Sequence, residues 1–398
     1  MPSNQHAVIF GAGNVGRGFL GQLFSESGYE VTFVDVDEPL IAALNDRRAY
    51  TIRLVDNDGT EEVSISPVQA YHSSQSEAIA AALARASLAA TAVGVRALPH
   101  IAPLVAGGIA LRAGGEAGAY PPNLNIIICE NMQHAAATFQ RMVTHLLPSS
   151  AQGYAEEHIG FVDTVIARMV PPPTPEMRQQ DRSLIAVEPY KHLPVDRYGF
   201  SGPIPEIVGM EANDNIGAYV ELKLYMHNCG HAMLAYLGAL RGHTYGYEAL
   251  EDPAIRPLLE AALAESKAGL VAAHGMEPAA LQELISDILR RFGNRALGDT
   301  VFRLGRDPLR KLGPEDRLVG AARLVERAGV TPAALSWGIA AATCFDDEGD
   351  PLAVKLQQRI AAEGLDRVLA DVSSIAPHEP LAALVRERAA KLRQGSWP

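Results

Sequence analysis

"HAVIFGAGNVGRGF", residues 6–19, decides how the chain begins to fold. A short apolar run enters a turn in which Gly11, Gly13 and Gly16 take the G-x-G-x-x-G spacing, and an apolar-periodic helix follows to about Ser27. Each glycine has its own reason: the first permits a tight turn, the second lets backbone amides approach a pyrophosphate, and the third lets helix pack on strand. Nineteen residues after Gly16 a second strand, "YEVTFVDVD" (29–37), brings Asp35 to its end. A carboxylate there accepts from an adenosine ribose 2′-hydroxyl and repels a 2′-phosphate. The expected cofactor is therefore NAD, bound by Gly11, Gly13, Asn14, Val15, Gly16 and Asp35. Asp37 is either a second ribose contact or a solvated loop residue. Arg17 is a candidate counter-ion for a 2′-phosphate, which would leave room for NADP.

Outward from this turn, strand and helix alternate for the first 150 or so residues, through the apolar strands "LAATAVG" and "NLNIIICEN" (123–131), with a hairpin excursion at "YTIRLVDNDGTEEVSISPV". That alternation predicts an α/β fold with a doubly wound parallel sheet. Strands broken by a Pro-rich loop follow from about 155 to 210, expected to extend the sheet; beyond them the chain reads as helix after helix. The expected division is an extended Rossmann-type domain over 1–208 and a mostly α-helical domain over 209–398.

At 398 residues, 48% hydrophobic and 20% charged, the chain is long enough for two such cores. A net charge of −12 offers no general attraction for nucleic acid or an anionic membrane, so any anionic ligand must meet a local basic cluster. No run of 18 uninterrupted apolar residues and no secretory signal are present, which predicts a cytoplasmic protein. Cys129, Cys229 and Cys344, widely spaced and odd in number, fit a reducing compartment and no Cys-type zinc site.

A second stretch, "ELKLYMHNCGHAMLAYLG" (221–238), is apolar almost all round yet carries Lys223, His227, Asn228 and His231. Only six lysines occur among 34 basic residues, so a lysine inside an apolar helix is notable. At about 100° per residue, Lys223, His231 and Asn228 fall near 0°, 80° and 140°, one broad face. A lysine desolvated there loses its proton readily and can act as a general base without a metal. Taken singly, each residue reads more readily as structural: a snorkelling lysine, a satisfied core histidine, an interhelical amide. His227 and His231 stand four apart, but no Glu of H-E-x-x-H lies between them, which disfavours zinc.

The turn "GAGNVGRGF", the strand end "IIICENM" and "KLYMHNCGHAMLAYLG" together resemble the polyol-specific long-chain dehydrogenases, marked by K-x4-N-x2-H, and the likeness extends to "GFVD", "GRDPLRKL" and "DRL". That resemblance implies an extended Rossmann domain followed by a helical substrate domain, with no metal. It implies Lys223 as general base, Asn228 and Asn131 as stabilisers of the substrate oxygen, and His231 as the group orienting its hydroxyl. The local basic cluster at 303–317 offers Arg306, Arg310 and Lys311 for a sugar phosphate, or is a solvated charged loop. One departure stands out: related sequences carry an Asp where this chain has Ala167, while Arg168 is kept. The implied activity is reversible NAD-dependent oxidation of D-mannitol 1-phosphate to D-fructose 6-phosphate. The alternatives are a non-phosphorylated polyol or hexuronate as substrate, and a non-catalytic NAD-binding sensor. The expected partners are a sugar phosphate or polyol, with a monomer or homodimer as the assembly.

Overall fold

The computed structural model describes residues 5–397, which divide into two compact units at Ile216 and Gly217. The strands are β1 (Gln5–Phe10), β2 (Tyr29–Asp35), β3 (Tyr50–Val55), β4 (Thr60–Ile65), β5 (Val68–His72), β6 (Leu88–Thr91), β7 (Leu124–Ile128), β8 (Ile159–Asp163), β9 (Ile185–Val187), β10 (Leu193–Asp196) and β11 (Met210–Asn213). In the first unit six of them form a parallel sheet in the order β5-β2-β1-β6-β7-β8. Counted within that sheet the order is 3-2-1-4-5-6, the doubly wound arrangement whose direction reverses between β1 and β6. Helices cover both faces, so the central strands are apolar on both sides. Along β1 successive side chains alternate: Ala7 and Ile9 join one core with Phe19, Leu23 and Phe33, while Val8 and Phe10 join the other with Ile79 and Leu83.

The hairpin β3–β4 leaves this sheet, its turn held by Asp56, whose Oδ1 accepts from the amides of Asp58 (2.9 Å) and Gly59 (3.0 Å). The segment 155–210 corrects the expected extension of the sheet. β8 does add to it, but β9 pairs in parallel with β3, from Ile52 opposite Ile185 to Leu54 opposite Val187, and β10 pairs with β11 in a separate two-stranded sheet. Pro171, Pro172 and Pro173 lie between β8 and β9; three residues with no amide hydrogen cannot continue a ladder, and the chain leaves the main sheet there.

The second unit is helical. Its central helix, Cys229–Leu240, is buried from Ala232 to Gly238 and packs on Leu259, Phe292, Trp337 and Ile339 in one core. The helix Leu335–Thr343 is started by Glu265, whose carboxylate accepts from the amides of Ala334 (2.7 Å) and Leu335 (3.0 Å). Among the described residues, no helix is long and apolar enough to cross a membrane.

One buried cation in the first unit has a purely structural task. Arg112, 3% exposed, donates from Nη1 to the carbonyls of Leu83 (3.2 Å), Ala84 (2.8 Å) and Ala86 (2.7 Å), closing the end of the helix Ser76–Arg85. Arg112→Met should lower stability by about 3 kcal/mol, because it strands buried carbonyls. A urea titration followed by circular dichroism checks this, and a loss below about 1 kcal/mol would contradict it.

Candidate active site

The glycine turn lies at the carboxyl end of β1, at the point where the strand order reverses. Gly11 adopts φ +96°, and a Cβ there would stand 2.4 Å from the carbonyl oxygen of Ala92, just past β6. At Gly16 a Cβ would fall 1.8 Å from the Gly11 carbonyl oxygen, so only glycine fits. A Cβ at Gly13 would meet nothing within 4 Å, and this open side is the one a pyrophosphate would use. Asn14 donates from Nδ2 to the Val170 carbonyl (3.2 Å), and Val15 packs on the sheet core.

Asp35 is more than a ribose acceptor in waiting. Its Oδ2 takes the Ala12 amide at 2.6 Å and its Oδ1 takes the amides of Val36 (2.7 Å) and Asp37 (3.0 Å). A carboxylate offers about four acceptor sites, so one is spent on the glycine turn, two on the loop after β2, and one is left for a hydroxyl. Asp37 instead caps the helix Glu38–Arg47 through the Leu40 amide (3.1 Å) and pairs with Arg182 (2.7 Å). Arg17 requires a correction. It is 4% exposed and donates to the carbonyls of Ala12 (2.6 Å) and Ser183, so its guanidinium is bound inside the fold and does not serve a 2′-phosphate. Arg168 is likewise internal, donating to Gln22 Oε1 and the Glu188 carbonyl, each at 2.7 Å.

Sequence reasoning missed Glu130. Buried after β7, its two oxygens accept from the amides of Val93 (3.0 Å) and Gly94 (2.8 Å), in the loop that follows β6. It thereby ties the ends of two neighbouring strands together. The adjacent Asn131 is exposed at the same carboxyl edge of the sheet, where doubly wound folds bind ligands. The glutamate sits in a quoted motif, but its partner amides are 36 and 37 residues away and leave no local signal.

In the second unit the expected single helix over 221–238 is interrupted. Ile216–Leu222 and Cys229–Leu240 are α-helical, but Lys223–Asn228 forms a wider π turn, in which the Cys229 amide reaches the Leu224 carbonyl five residues back. In such a turn residues i and i+5 stand over one another as i and i+4 do in an α-helix. Asn228 is thus brought nearly in line with Lys223 instead of roughly 140° around from it. His231, three residues further along regular helix, completes a narrow face.

The electrostatics of this face follow from its surroundings. Burial, with a further push from the Arg317 guanidinium, lowers the Lys223 amine to about 8. His231 stacks on Phe292 with ring centroids 4.0 Å apart, and His227 packs edge-on to both rings. Burial first, then neighbouring positive charge, holds both imidazoles well below their ordinary value, so both are neutral at physiological pH. The face therefore presents an amine able to accept a proton, an amide, and an uncharged imidazole.

The basic stretch is less uniform than expected. Arg306 is exposed; Arg310 is exposed and pairs with Asp307 (2.9 Å) and Asp316 (3.2 Å). Lys311, however, is 4% exposed, with Nζ donating to the Leu304 carbonyl and lying 5.8 Å from the centre of the Tyr236 ring. The three do not form one exposed cluster, because the helix Pro308–Lys311 turns its last residue into the core. Burial, then Arg317 and Arg310, lowers this amine to about 7. Among the described residues no group of three or more His, Cys, Asp or Glu side chains could hold a metal ion.

The chain is similar to known proteins along its whole length. Residues 5–209 match the mannitol dehydrogenase Rossmann domain and residues 215–394 the mannitol dehydrogenase C-terminal domain. It is 38% identical to a mannitol-1-phosphate 5-dehydrogenase of Bacillus velezensis and 39% identical to one of Bacillus subtilis, each over 383 residues, covering 96% of this chain and 99% of the relative. Its fold is that of the Pseudomonas fluorescens mannitol 2-dehydrogenase solved with NAD and D-mannitol (TM-score 0.74, 18% identity, 99% of this chain and 92% of that one). It is also that of a D-sorbitol dehydrogenase in substrate-free form (TM-score 0.79, 16% identity, 99% and 94%).

Asp35→Ser should weaken NADH binding about tenfold to a hundredfold, because it removes both the ribose acceptor and the brace on the glycine turn, and should narrow the gap between NADH and NADPH. Fluorescence titration with each nucleotide measures this; unchanged NADH affinity would show that Asp35 plays neither part.

Proposed function

The chain belongs to the mannitol dehydrogenase family, and from that premise we propose that it catalyses the reversible NAD-dependent oxidation of D-mannitol 1-phosphate to D-fructose 6-phosphate. The observation that carries this reading is near-full-length identity to mannitol-1-phosphate 5-dehydrogenases in a chain whose Lys223, Asn228 and His231 share one face. The glycine turn and Asp35 fit NAD: a Cβ is excluded at Gly11 and Gly16, space is open at Gly13, and one acceptor site of the carboxylate remains. When bound, NAD supplies the acceptor for the hydride.

The chain's own residues handle the proton and the oxygen. In the oxidative direction neutral Lys223 takes the hydroxyl proton, while Asn228 and Asn131 donate to the oxygen as it gains carbonyl character. Neutral His231 orients the hydroxyl, which an imidazole can do with one donor and one acceptor nitrogen. Arg306 and Arg310 receive the phosphate, while Lys311 is engaged by the Leu304 carbonyl. The enzyme works in the cytoplasm as a monomer or homodimer. The reading is tested by comparing fructose 6-phosphate with fructose in NADH oxidation: the phosphate ester should have the higher kcat/KM by at least about a hundredfold. Equal efficiencies would transfer the assignment to a non-phosphorylated polyol.

Polyol oxidation should rise about tenfold per pH unit below about 8 and level off above it, since only the deprotonated Lys223 accepts a proton. A profile flat from pH 6 to 9, measured as kcat/KM, would remove Lys223 as the base. Lys223→Met should abolish turnover, leave NADH binding intact and raise stability at pH 7 by about 1–3 kcal/mol. The sign follows from the lowered value: the folded chain holds this proton less tightly than the unfolded one. The penalty is therefore constant below about pH 8 and shrinks as pH rises towards the ordinary value of 10.5. Melting temperatures of the two proteins at pH 7 and pH 10 test it; a gap that widens with pH contradicts the assignment.

A further inference from the structure

This inference rests on the reading that the substrate is a sugar phosphate. With Lys311 turned inward, the expected phosphate grip lacks a member near the catalytic face, and Arg317 is the cation placed to supply it. Its side chain is 12% exposed, with Nε on Asp316 Oδ1 at 2.7 Å, and its own amide donates to the same oxygen at 2.6 Å. The other oxygen of Asp316 takes Arg310 Nη1 at 3.2 Å, and Arg310 Nε is held in turn by Asp307 at 2.9 Å. One carboxylate thus sets the spacing of two guanidinium groups, using one edge of each.

The segment that carries Arg317 also packs on the π turn. Gly320, one turn on, approaches Tyr225 so closely that a Cβ would fall 2.7 Å from its ring, which seats this segment on the π turn of Lys223–Asn228. After burial, the charge of Arg317 is among the influences that lower the proton affinity of Lys223, His231 and Lys311 alike. The Asp316 contact uses the Nε edge of the Arg317 guanidinium, and the Nη donors beyond that edge are the ones available to a second anion. In the proposed substrate the phosphate on C1 is separated from the reacting C5 by most of the polyol chain, so it must meet a cation some way from Lys223. A pair of guanidinium groups joined by Asp316, on a segment packed against the π turn yet not bonded to Lys223, suits a ligand of that form.

We propose that Arg317, braced by Asp316 and paired through it with Arg310, holds the phosphate of the substrate and so makes the site select a sugar phosphate over the free sugar. The test compares fructose 6-phosphate and fructose reduction by NADH in the parent enzyme, Arg317→Leu and Arg317→Lys, with inorganic phosphate as a competitive probe. In Arg317→Leu, kcat/KM for fructose 6-phosphate should fall about tenfold to a hundredfold while that for fructose changes less than about threefold, and inhibition by phosphate should weaken. Arg317→Lys, which keeps the charge but not the planar fork, should fall between the two. An equal fall on both substrates would make Arg317 only a neighbour of Lys223 and overturn the proposal. So would a full phosphate preference in Arg317→Leu or, if that variant does not fold, in Arg317→Lys. A parent enzyme with no preference for the phosphate ester would overturn the sugar-phosphate reading itself, a result visible before any variant is made.

Discussion

An amine largely kept from water is the constraint around which the helical unit is built. Lys223 enters the fold on a helix whose continuation is buried all round, and that burial, more than any single neighbour, brings its proton affinity down to about 8. The shift from an ordinary lysine corresponds to a cost on the order of 3 kcal/mol at neutral pH, discounted for the part of the side chain that still meets solvent. The core of Leu259, Phe292, Trp337 and their neighbours offsets that cost many times over. The same seclusion keeps His227 and His231 neutral. A protonated imidazole near Lys223 would repel the ammonium form of the lysine; a neutral one does not.

Carboxylates do the positioning throughout. Asp35 ties one amide of the glycine turn to two of its own loop after β2, Glu130 holds two in the loop after β6, and Asp316 holds two guanidinium groups at a fixed spacing. In each case a charged acceptor fixes donors in place, and a charge-assisted bond of this kind is stronger than a neutral one. The consequence for function is rigidity near the reacting groups. These acids are best regarded as the frame on which ligand-contacting residues are hung.

The glycine turn, the strand and helix alternation around it and the helical second half were all legible along the chain, because each depends on residues within one turn or one strand of each other. The spacing of Lys223, Asn228 and His231 was read as that of a regular helix, and the angles between them differ in the structure. The π turn at Lys223–Asn228 adds one residue to the helix, and no propensity in "KLYMHN" announces it. The pairing of β9 with β3, more than 130 positions apart, follows from where the Pro-rich loop carries the chain and has no counterpart in local pattern.

By itself the sequence determined the kind of chemistry: a dinucleotide turn that needs glycine at 11 and 16, and one lysine set among apolar residues with an amide and an imidazole close behind. Only the tertiary structure decided where each charge goes. Arg17 and Lys311 look available on paper but are turned inward to carbonyl oxygens, whereas Arg317 is held on one edge by Asp316. The physical reason is that a charge is costly to bury without a partner, and the partners that settle each case are backbone and side-chain groups brought in from distant elements.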